Sequence, residues 1–142
     1  MNQNLKNVTK RFIPKPWRSQ MLDAYYDAVK YIAYRNVKQR KEPFYFHGEA
    51  FPYYSHHHNW TYLNERTVEL PIAFRYLEEY KEKKILEVGN VLSHYMAISH
   101  LVIDKFEKAG GVVNVDIVNF APAETFDLVI SISTFEYIGY DE

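Results

Sequence analysis

The sequence predicts an α/β protein in which a mostly parallel sheet of about four strands follows an N-terminal helix and an aromatic β-hairpin. Three patterns support this prediction: apolar residues at helical spacing near the N-terminus, two aromatic runs that flank a His-Gly pair, and four short aliphatic runs after residue 83. The chain has 142 residues, 47% of them apolar, which is enough for a hydrophobic core.

Composition excludes several classes of function. The chain has no cysteine, so disulfides, thiolate metal sites and cysteine nucleophiles are excluded. The net charge of −1 gives no reason to expect nucleic acid or an anionic membrane as a partner. No segment resembles a signal peptide or a membrane span, so we predict a cytoplasmic protein. The 13 tyrosines, 9 phenylalanines and 2 tryptophans indicate an aromatic core or, alternatively, an aromatic substrate groove.

The first part of the chain, residues 1–62, is predicted to form an arm, a helix and a hairpin that serve as a cap or lid. Residues 1–18 are polar and predict an extended arm. Ser19 is suited to cap a helix that runs to about Arg40. Apolar residues three and four positions apart predict one buried face of this helix: Leu22, Tyr25, Val29, Ile32, Ala33 and Val37. Basic residues near its end complement the helix dipole, and a nucleic-acid patch is the alternative.

Residues 43–54 read PFYFHGEAFPYY and predict a hairpin that turns at His47-Gly48-Glu49. Pro52 indicates that its second strand lies at an edge. The three histidines at positions 56–58 predict a structural or substrate-facing loop. A metal site is the weaker alternative, because sequence neighbours do not easily converge on one ion and no further ligand motif accompanies them.

The second part, residues 63–142, is predicted to begin with a helix between about Asn64 and Lys83. Pro71 requires that this helix either starts near Thr67 or bends. Four aliphatic runs come after it, of the kind found in strands buried on both faces of a parallel sheet: residues 84–89, 100–104, 112–117 and 126–133. The connections are short, so at least one crossover must be a single turn or an irregular loop, or one pairing must be antiparallel.

Glycine or acidic residues stand at the carboxyl ends of the first three predicted strands, where open α/β sheets bind ligands. Gly89 would let backbone N–H groups approach a ligand closely. Asp104 has the geometry to accept both hydroxyls of a ribose, and Asp116 to accept from the exocyclic amine of adenine. The end of the fourth strand, residues 131–134, would form the floor where the reacting group lies. Alternatively, the acids only terminate their strands and cap the adjoining loops.

The segments ILEVGNVLSHY, HLVIDKFE, VVNVDIVNF and FDLVISISTFEYIG resemble the class I S-adenosylmethionine-dependent methyltransferases, whose sheet is Rossmann-like. The resemblance covers residues 84–140, and residues 59–72 are similar to a segment that precedes the first strand in one branch of the family. It implies S-adenosyl-L-methionine as the cofactor and methyl transfer to an acceptor that the sequence does not identify. The cofactor-binding residues it implies are Glu87, Gly89 and Asn90 in the cofactor loop, Asp104 at the ribose, Asp116 and Ile117 at the adenine, and Ser131 on the strand beneath the sulfonium.

The chain departs from the family pattern in two ways. The family loop reads acid-x-Gly-x-Gly-x-Gly, whereas Val91 and Ser93 replace its second and third glycines here, and valine disfavours positive φ. The side chains of His94 and Tyr95 are candidates to fill that space. The family sheet has about seven strands, so residues 63–142 are expected to be the first half of such a domain. The exposed edge of the fourth strand then predicts association into a homo-oligomer.

These patterns leave three hypotheses about function. The first is a methyltransferase, for which no catalytic residue is assigned because transfer from a sulfonium requires alignment rather than acid–base chemistry. Glu136 and Tyr137, just past the fourth strand, are candidates to orient a substrate. The second is a non-catalytic, degenerate Rossmann-like binding or interaction module. The third is a nicotinamide-dependent oxidoreductase, but its Gly-x-Gly-x-x-Gly fingerprint is absent. No metal site is predicted.

Overall fold

A computed structural model describes residues 15–139 and shows a mixed α/β protein, which confirms the predicted class. Its helices and strands are α1 (Lys15–Gln39), β1 (Phe44–Phe46), β2 (Glu49–Phe51), α2 (Arg66–Glu79), β3 (Ile85–Val88), β4 (Leu101–Ile103), β5 (Val112–Val113) and β6 (Leu128–Ser131). Short 3-10 helices lie at His58–Leu63, Leu92–His94, Ile117–Asn119 and Phe135–Tyr137. Within the described range, no helix is both long enough and apolar enough to cross a bilayer.

The second half of the chain folds into a four-stranded sheet with the order β5-β4-β3-β6, and all three pairings are parallel. Each of the four aliphatic runs supplies one strand, as predicted. The connections between β3 and β6 contain 3-10 turns and irregular loops but no α-helix. The prediction of an irregular crossover is therefore confirmed, and its alternative, an antiparallel pairing, is wrong.

The two faces of the sheet carry separate hydrophobic clusters, because successive side chains of β3 point to opposite faces. On one face, Ile85 of β3 packs with Leu70 and Leu77 of α2. On the other face, Leu86 and Val88 pack with Ile103 and with apolar side chains from the loops. All four residues of β3 are buried, so β3 is the centre of the core. β6 forms one edge of the sheet, and association through that edge stays a prediction.

The second helix, α2, begins at Arg66 and contains Pro71 in its second turn. Proline has no N–H, so the carbonyl of Thr67 lacks its usual helical donor. The backbone N–H of Tyr54 donates to that carbonyl at 2.9 Å, and the Thr67 hydroxyl donates to the Tyr54 carbonyl, also at 2.9 Å. This reciprocal pair satisfies the disrupted turn and ties the segment after the hairpin to α2. Of the two predicted solutions for Pro71, the start near Thr67 agrees with the structure, because the helix begins at Arg66.

The predicted hairpin is confirmed: β1 and β2 pair antiparallel, with Phe46 opposite Glu49. His47 and Gly48 have φ values of 49° and 83°, so both turn residues adopt the left-handed conformation that suits a two-residue type I′ turn. The Glu49 carboxylate lies 3.6 Å from the Arg75 guanidinium of α2. Phe51 is buried. The hairpin is thereby packed against α2.

The first helix, α1, starts earlier than predicted, and the face predicted to be buried is exposed. It begins at Lys15 in the described range, so residues 15–18 are helical rather than an extended arm; the rest of the predicted arm, residues 1–14, lies outside the described residues. The predicted buried face is wrong, because Leu22, Tyr25, Val29 and Ile32 are 40%, 61%, 41% and 56% exposed. Helical spacing shows that apolar side chains share a face, but it does not show that another element covers that face.

Three contacts join the C-terminal half of α1 to residues 57–62. The Tyr34 ring stacks on the His57 ring at a centroid distance of 4.6 Å and meets the Tyr62 ring edge-on at 5.3 Å. The Lys30 ammonium lies 3.9 Å above the centre of the Trp60 ring. The loop of three histidines is therefore part of the support of α1.

Candidate functional site

A cleft of about 430 Å³ opens at the carboxyl end of the parallel sheet. Residues that follow four different strands line it, and four of them were predicted as site residues: Gly89, Asp104, Asp116 and Ile117. Much of the remaining wall is aliphatic, contributed by Val88, Ile103, Val115 and Ile138. The structure therefore brings the predicted glycine and both predicted acids to one concave surface.

Gly89 lies where the loops after β3 and β6 approach each other. Its φ is +87°, and its N–H donates to the carbonyl of Ile103 at 2.8 Å. A Cβ at this position would lie 2.1 Å from Thr134 Oγ1, far inside van der Waals contact. Glycine is therefore required here both by its conformation and by the neighbouring loop.

Asp104 lines the cleft and organises the loop around it. Its Oδ2 accepts from the Asn90 N–H at 2.9 Å, and its Oδ1 accepts from the N–H groups of Phe106 and Glu107 at 2.8 Å each. Burial acts to raise the pKa of Asp104, but these backbone donors outweigh it and hold the pKa below its ordinary value. A carboxylate offers roughly four acceptor directions, so about one is left for a ligand. The two hydroxyls of a ribose would need more than that.

Asp116 also lines the cleft and caps the short helix that begins at Ile117. Its Oδ1 accepts from the Val118 N–H at 3.0 Å, and its Oδ2 lies 3.0 Å from the Lys105 ammonium. The Val118 N–H and then Lys105 hold the pKa of Asp116 below its ordinary value. The carboxylate is thus ionised and fixed, with capacity left for a further donor.

Two of the predicted residues shape the loop after β3 and do not line the cleft. Glu87 is fully buried; its Oε1 accepts from the N–H groups of Val91 and Leu92, and its Oε2 lies 2.8 Å from His100 Nε2. Asn90 is 5% exposed and donates through its side chain to Glu107 at 2.8 Å. Their side chains form hydrogen bonds that stabilise the conformation of the predicted cofactor loop.

Ser131 lies away from the cleft. It lines a separate groove between β6 and α2, and its buried hydroxyl has no hydrogen-bond partner among the described residues. Ser133 and Thr134, from the same predicted strand end, line the cleft instead. The reason is the chain direction after β6, where Ser133 has a φ of +48° and redirects the backbone.

The start of α2 holds this turn after β6. The Arg66 guanidinium donates to the carbonyl of Ile132 at 3.4 Å and lies 3.6 Å from the Glu69 carboxylate. The Ser133 hydroxyl donates to that same carboxylate at 3.3–3.4 Å. Burial raises the pKa of Glu69, although Arg66 opposes the shift.

The replaced glycines cause no backbone strain. Val91 has a φ of −112°, which valine adopts readily. The Ser93 hydroxyl donates to Asn90 Oδ1 at 2.6 Å. His94 stacks on His58 at 4.7 Å, and Tyr95 meets both His56 and His58 edge-on at 5.4 Å. Both rings therefore contact the loop of three histidines, and neither lines the cleft.

The predicted cap contributes nothing to the walls of the cleft: no lining residue comes from the described stretch 15–62. Its aromatic side chains pack against α2, α1 and the loop after β3. Among residues 15–139, no group of three or more histidine or acidic side chains is arranged to hold a metal ion.

Two residues without a role predicted from the sequence also line the cleft. Lys105 pairs with Asp116, and the Phe106 ring is 70% exposed beside the cleft. Their position in the loop directly after β4 was the available signal, because binding residues are concentrated on loops that a rigid scaffold positions. Tyr137, a predicted substrate-orienting residue, lines the cleft and is 67% exposed, whereas Glu136 does not line it.

Comparisons of the chain with models of known protein families, with curated proteins and with solved structures found no match. The function of the cleft therefore has to be inferred from its geometry and chemistry.

Proposed function

We propose that the cleft binds the adenosyl part of S-adenosyl-L-methionine and that the chain is an S-adenosylmethionine-dependent methyltransferase with a partial Rossmann-like sheet. One observation carries the proposal: Gly89, Asp104 and Asp116 follow three different strands, yet they line one cleft. The strand order supports it. Numbered from β3, the sheet reads third, second, first, fourth, which is the order of the first four strands in doubly wound nucleotide-binding sheets.

The lining of the cleft fits an adenosine in size and in chemistry. Its volume of about 430 Å³ is within the range of roughly 300–1,000 Å³ common for small-molecule sites. The aliphatic wall of Val88, Ile103 and Val115 suits the flat, apolar faces of a purine. The two carboxylates suit the hydroxyl and amine donors at the edges of the nucleoside.

Each residue has a defined part in the proposed complex. Asp104 would accept from a ribose hydroxyl through its remaining lone pair. Asp116 and Ile117 would hold the adenine edge, as the resemblance to the family implies. Gly89 leaves the backbone free of a side chain where the loops after β3 and β6 converge.

When bound, the cofactor supplies a methyl group already activated by its sulfonium. The protein then has to align donor and acceptor and to exclude water, and it needs no nucleophile or strong base. We therefore assign no catalytic side chain. Tyr137, on the rim of the cleft, is the residue best placed to contact an acceptor.

The second candidate function is a non-catalytic module with a degenerate cofactor site. The existing partners of the two acids favour this second candidate. Asp104 already accepts three backbone hydrogen bonds, and Asp116 is paired with Lys105. A ligand would have to displace or share these partners, which reduces the affinity it gains. In this case the cleft would bind S-adenosyl compounds weakly or not at all.

Isothermal titration of the full chain with S-adenosylmethionine, S-adenosylhomocysteine and NAD separates the candidates. We expect both S-adenosyl compounds to bind at least about tenfold more tightly than NAD, a difference of about 1.4 kcal/mol. Tighter binding of NAD would favour the oxidoreductase and contradict the proposal. Absence of binding heat with all three ligands at several temperatures would favour the non-catalytic module.

A further inference from the structure

The side chain of Glu87, on the core strand β3, pairs with the side chain of His100. The two side chains are 1% and 7% exposed, and Glu87 Oε2 lies 2.8 Å from His100 Nε2. His100 comes directly before β4 and does not line the cleft. A carboxyl group that is removed from water needs a hydrogen-bond partner for each of its oxygens, and His100 is the partner of Oε2.

Glu87 connects this pair to the turn that follows β3, residues 89–92. Its Oε1 accepts from the backbone N–H groups of Val91 and Leu92 at 2.8 Å each. One carboxyl group therefore makes three hydrogen bonds. The bond between Oε2 and His100 fixes the orientation of the carboxyl group in which the other two bonds are possible.

The same turn reaches the cleft through its first two residues. The Gly89 N–H donates to the last carbonyl of β4 at 2.8 Å, and the Asn90 N–H donates to Asp104 Oδ2 at 2.9 Å. Gly89 and Asp104 both line the cleft. The residues on either side of β4 therefore act on one turn, Asp104 directly and His100 through Glu87.

We propose that His100 is a positioning residue for the cleft: through Glu87 it fixes residues 89–92 in the conformation that binds the adenosyl ligand. The identity of the ligand rests on the proposed function, whereas the control of the turn by His100 does not. Replacing His100 with leucine removes the partner of Oε2. The Glu87 carboxyl group is then expected to leave its position and to release the N–H groups of Val91 and Leu92.

Isothermal titration with S-adenosylhomocysteine, under conditions in which each variant is fully folded, measures the effect on the cleft. His100→Leu is expected to weaken binding at least about tenfold. His100→Gln should bind within about twofold of the wild type, because its side-chain amide can also hydrogen-bond to Oε2. Phe51→Ala is the control for lost stability. It removes a buried ring of the hairpin, and it should lower the unfolding midpoint without changing the affinity.

A double-mutant cycle shows whether His100 acts through Glu87. In Glu87→Gln the amide oxygen can still accept from the turn, and an amide without a partner costs less to bury than a carboxylate does. In this background His100→Leu should therefore weaken binding by less than about threefold. An equal loss in both backgrounds would show that the imidazole acts by packing alone, and it would overturn the proposal.

Amide hydrogen exchange of the ligand-free chain tests the effect on the turn without any ligand. His100→Leu is expected to lower the protection of the Val91 and Leu92 amides at least about tenfold more than that of the slowest amides, which report global unfolding. A uniform loss of protection would overturn the proposal.

The two measurements also separate this inference from the proposed function. Binding of S-adenosylhomocysteine by the wild type that His100→Leu leaves unchanged would overturn the inference and leave the proposed function standing. Absence of binding by the wild type would overturn the proposed function. The exchange measurement would then decide by itself whether His100 controls the turn.

Discussion

Replacing Gly89 with alanine is expected to lower the free energy of unfolding by at least about 3 kcal/mol. Two effects combine: the residue has a φ of +87°, and its new Cβ would lie 2.1 Å from Thr134 Oγ1. The loops after β3 and β6 would have to move apart, and both loops line the cleft. Urea unfolding, followed by circular dichroism, measures the loss, and titration with S-adenosylhomocysteine is expected to show no binding.

Gly111→Ala is the matched control for this prediction. Gly111 has nearly the same φ, +85°, but no atom lies within 4 Å of its Cβ position. It should cost only about 1–2 kcal/mol, the strain of the left-handed conformation alone. The double variant Gly89→Ala/Thr134→Ala should recover part of the loss, because two of the three clashing atoms are removed. Equal costs at Gly89 and Gly111 would show that the two loops do not approach closely.

Replacing Asp104 with alanine is expected to weaken the binding of S-adenosylhomocysteine at least tenfold, about 1.4 kcal/mol. The same change should destabilise the fold by about 2–3 kcal/mol, because the N–H groups of Asn90, Phe106 and Glu107 lose their acceptor. Isothermal titration and urea unfolding measure the two effects separately. Asp104→Asn is the control, since its amide oxygen preserves the acceptor for Phe106 and Glu107. Undiminished binding by the alanine variant would contradict the role of Asp104 at the ribose.

The stabilising effect of Asp104 should depend on pH in one direction. Its pKa is lower in the folded protein than in the unfolded chain, so the ionised carboxylate stabilises the fold above the unfolded pKa. That contribution is lost as the pH falls through the folded pKa. The difference in unfolding free energy between the wild type and Asp104→Asn should therefore be constant near neutral pH and shrink below about pH 4.

The secondary structure of the sheet could be predicted because its signals are local. Four near-continuous aliphatic runs gave four strands, and a His-Gly pair between aromatic runs gave the hairpin turn. Even the irregular crossovers were predictable from the chain lengths between the runs. The burial of α1 could not be predicted in this way, because it depends on which element lies opposite Leu22 and Val29, and no local pattern contains that information.

The candidate site was predicted in part for the same reason. Glycine and acids at strand ends gave Gly89, Asp104 and Asp116, since the carboxyl ends of parallel strands meet at one edge. The direction in which individual side chains point could not be predicted from the sequence. Glu87 turns inward to its own loop, and Ser131 faces α2, because the pleat and the turn after β6 decide on which side each residue lies. The sequence also could not show that Asp104 accepts three backbone hydrogen bonds and that Asp116 pairs with Lys105.

Labelling the glycines of the full chain with ¹⁵N tests most directly whether an adenosyl ligand occupies this cleft. The chain has five glycines; Gly89 and Gly139 line the cleft, whereas Gly48, Gly110 and Gly111 do not. Addition of S-adenosylhomocysteine is expected to shift the amide signals of Gly89 and Gly139 and to leave the other three unchanged. Single alanine variants assign the other four glycines, and Gly89 is then assigned by elimination. Shifts confined to Gly48, Gly110 or Gly111, or no shift at saturating ligand, would contradict the proposed site.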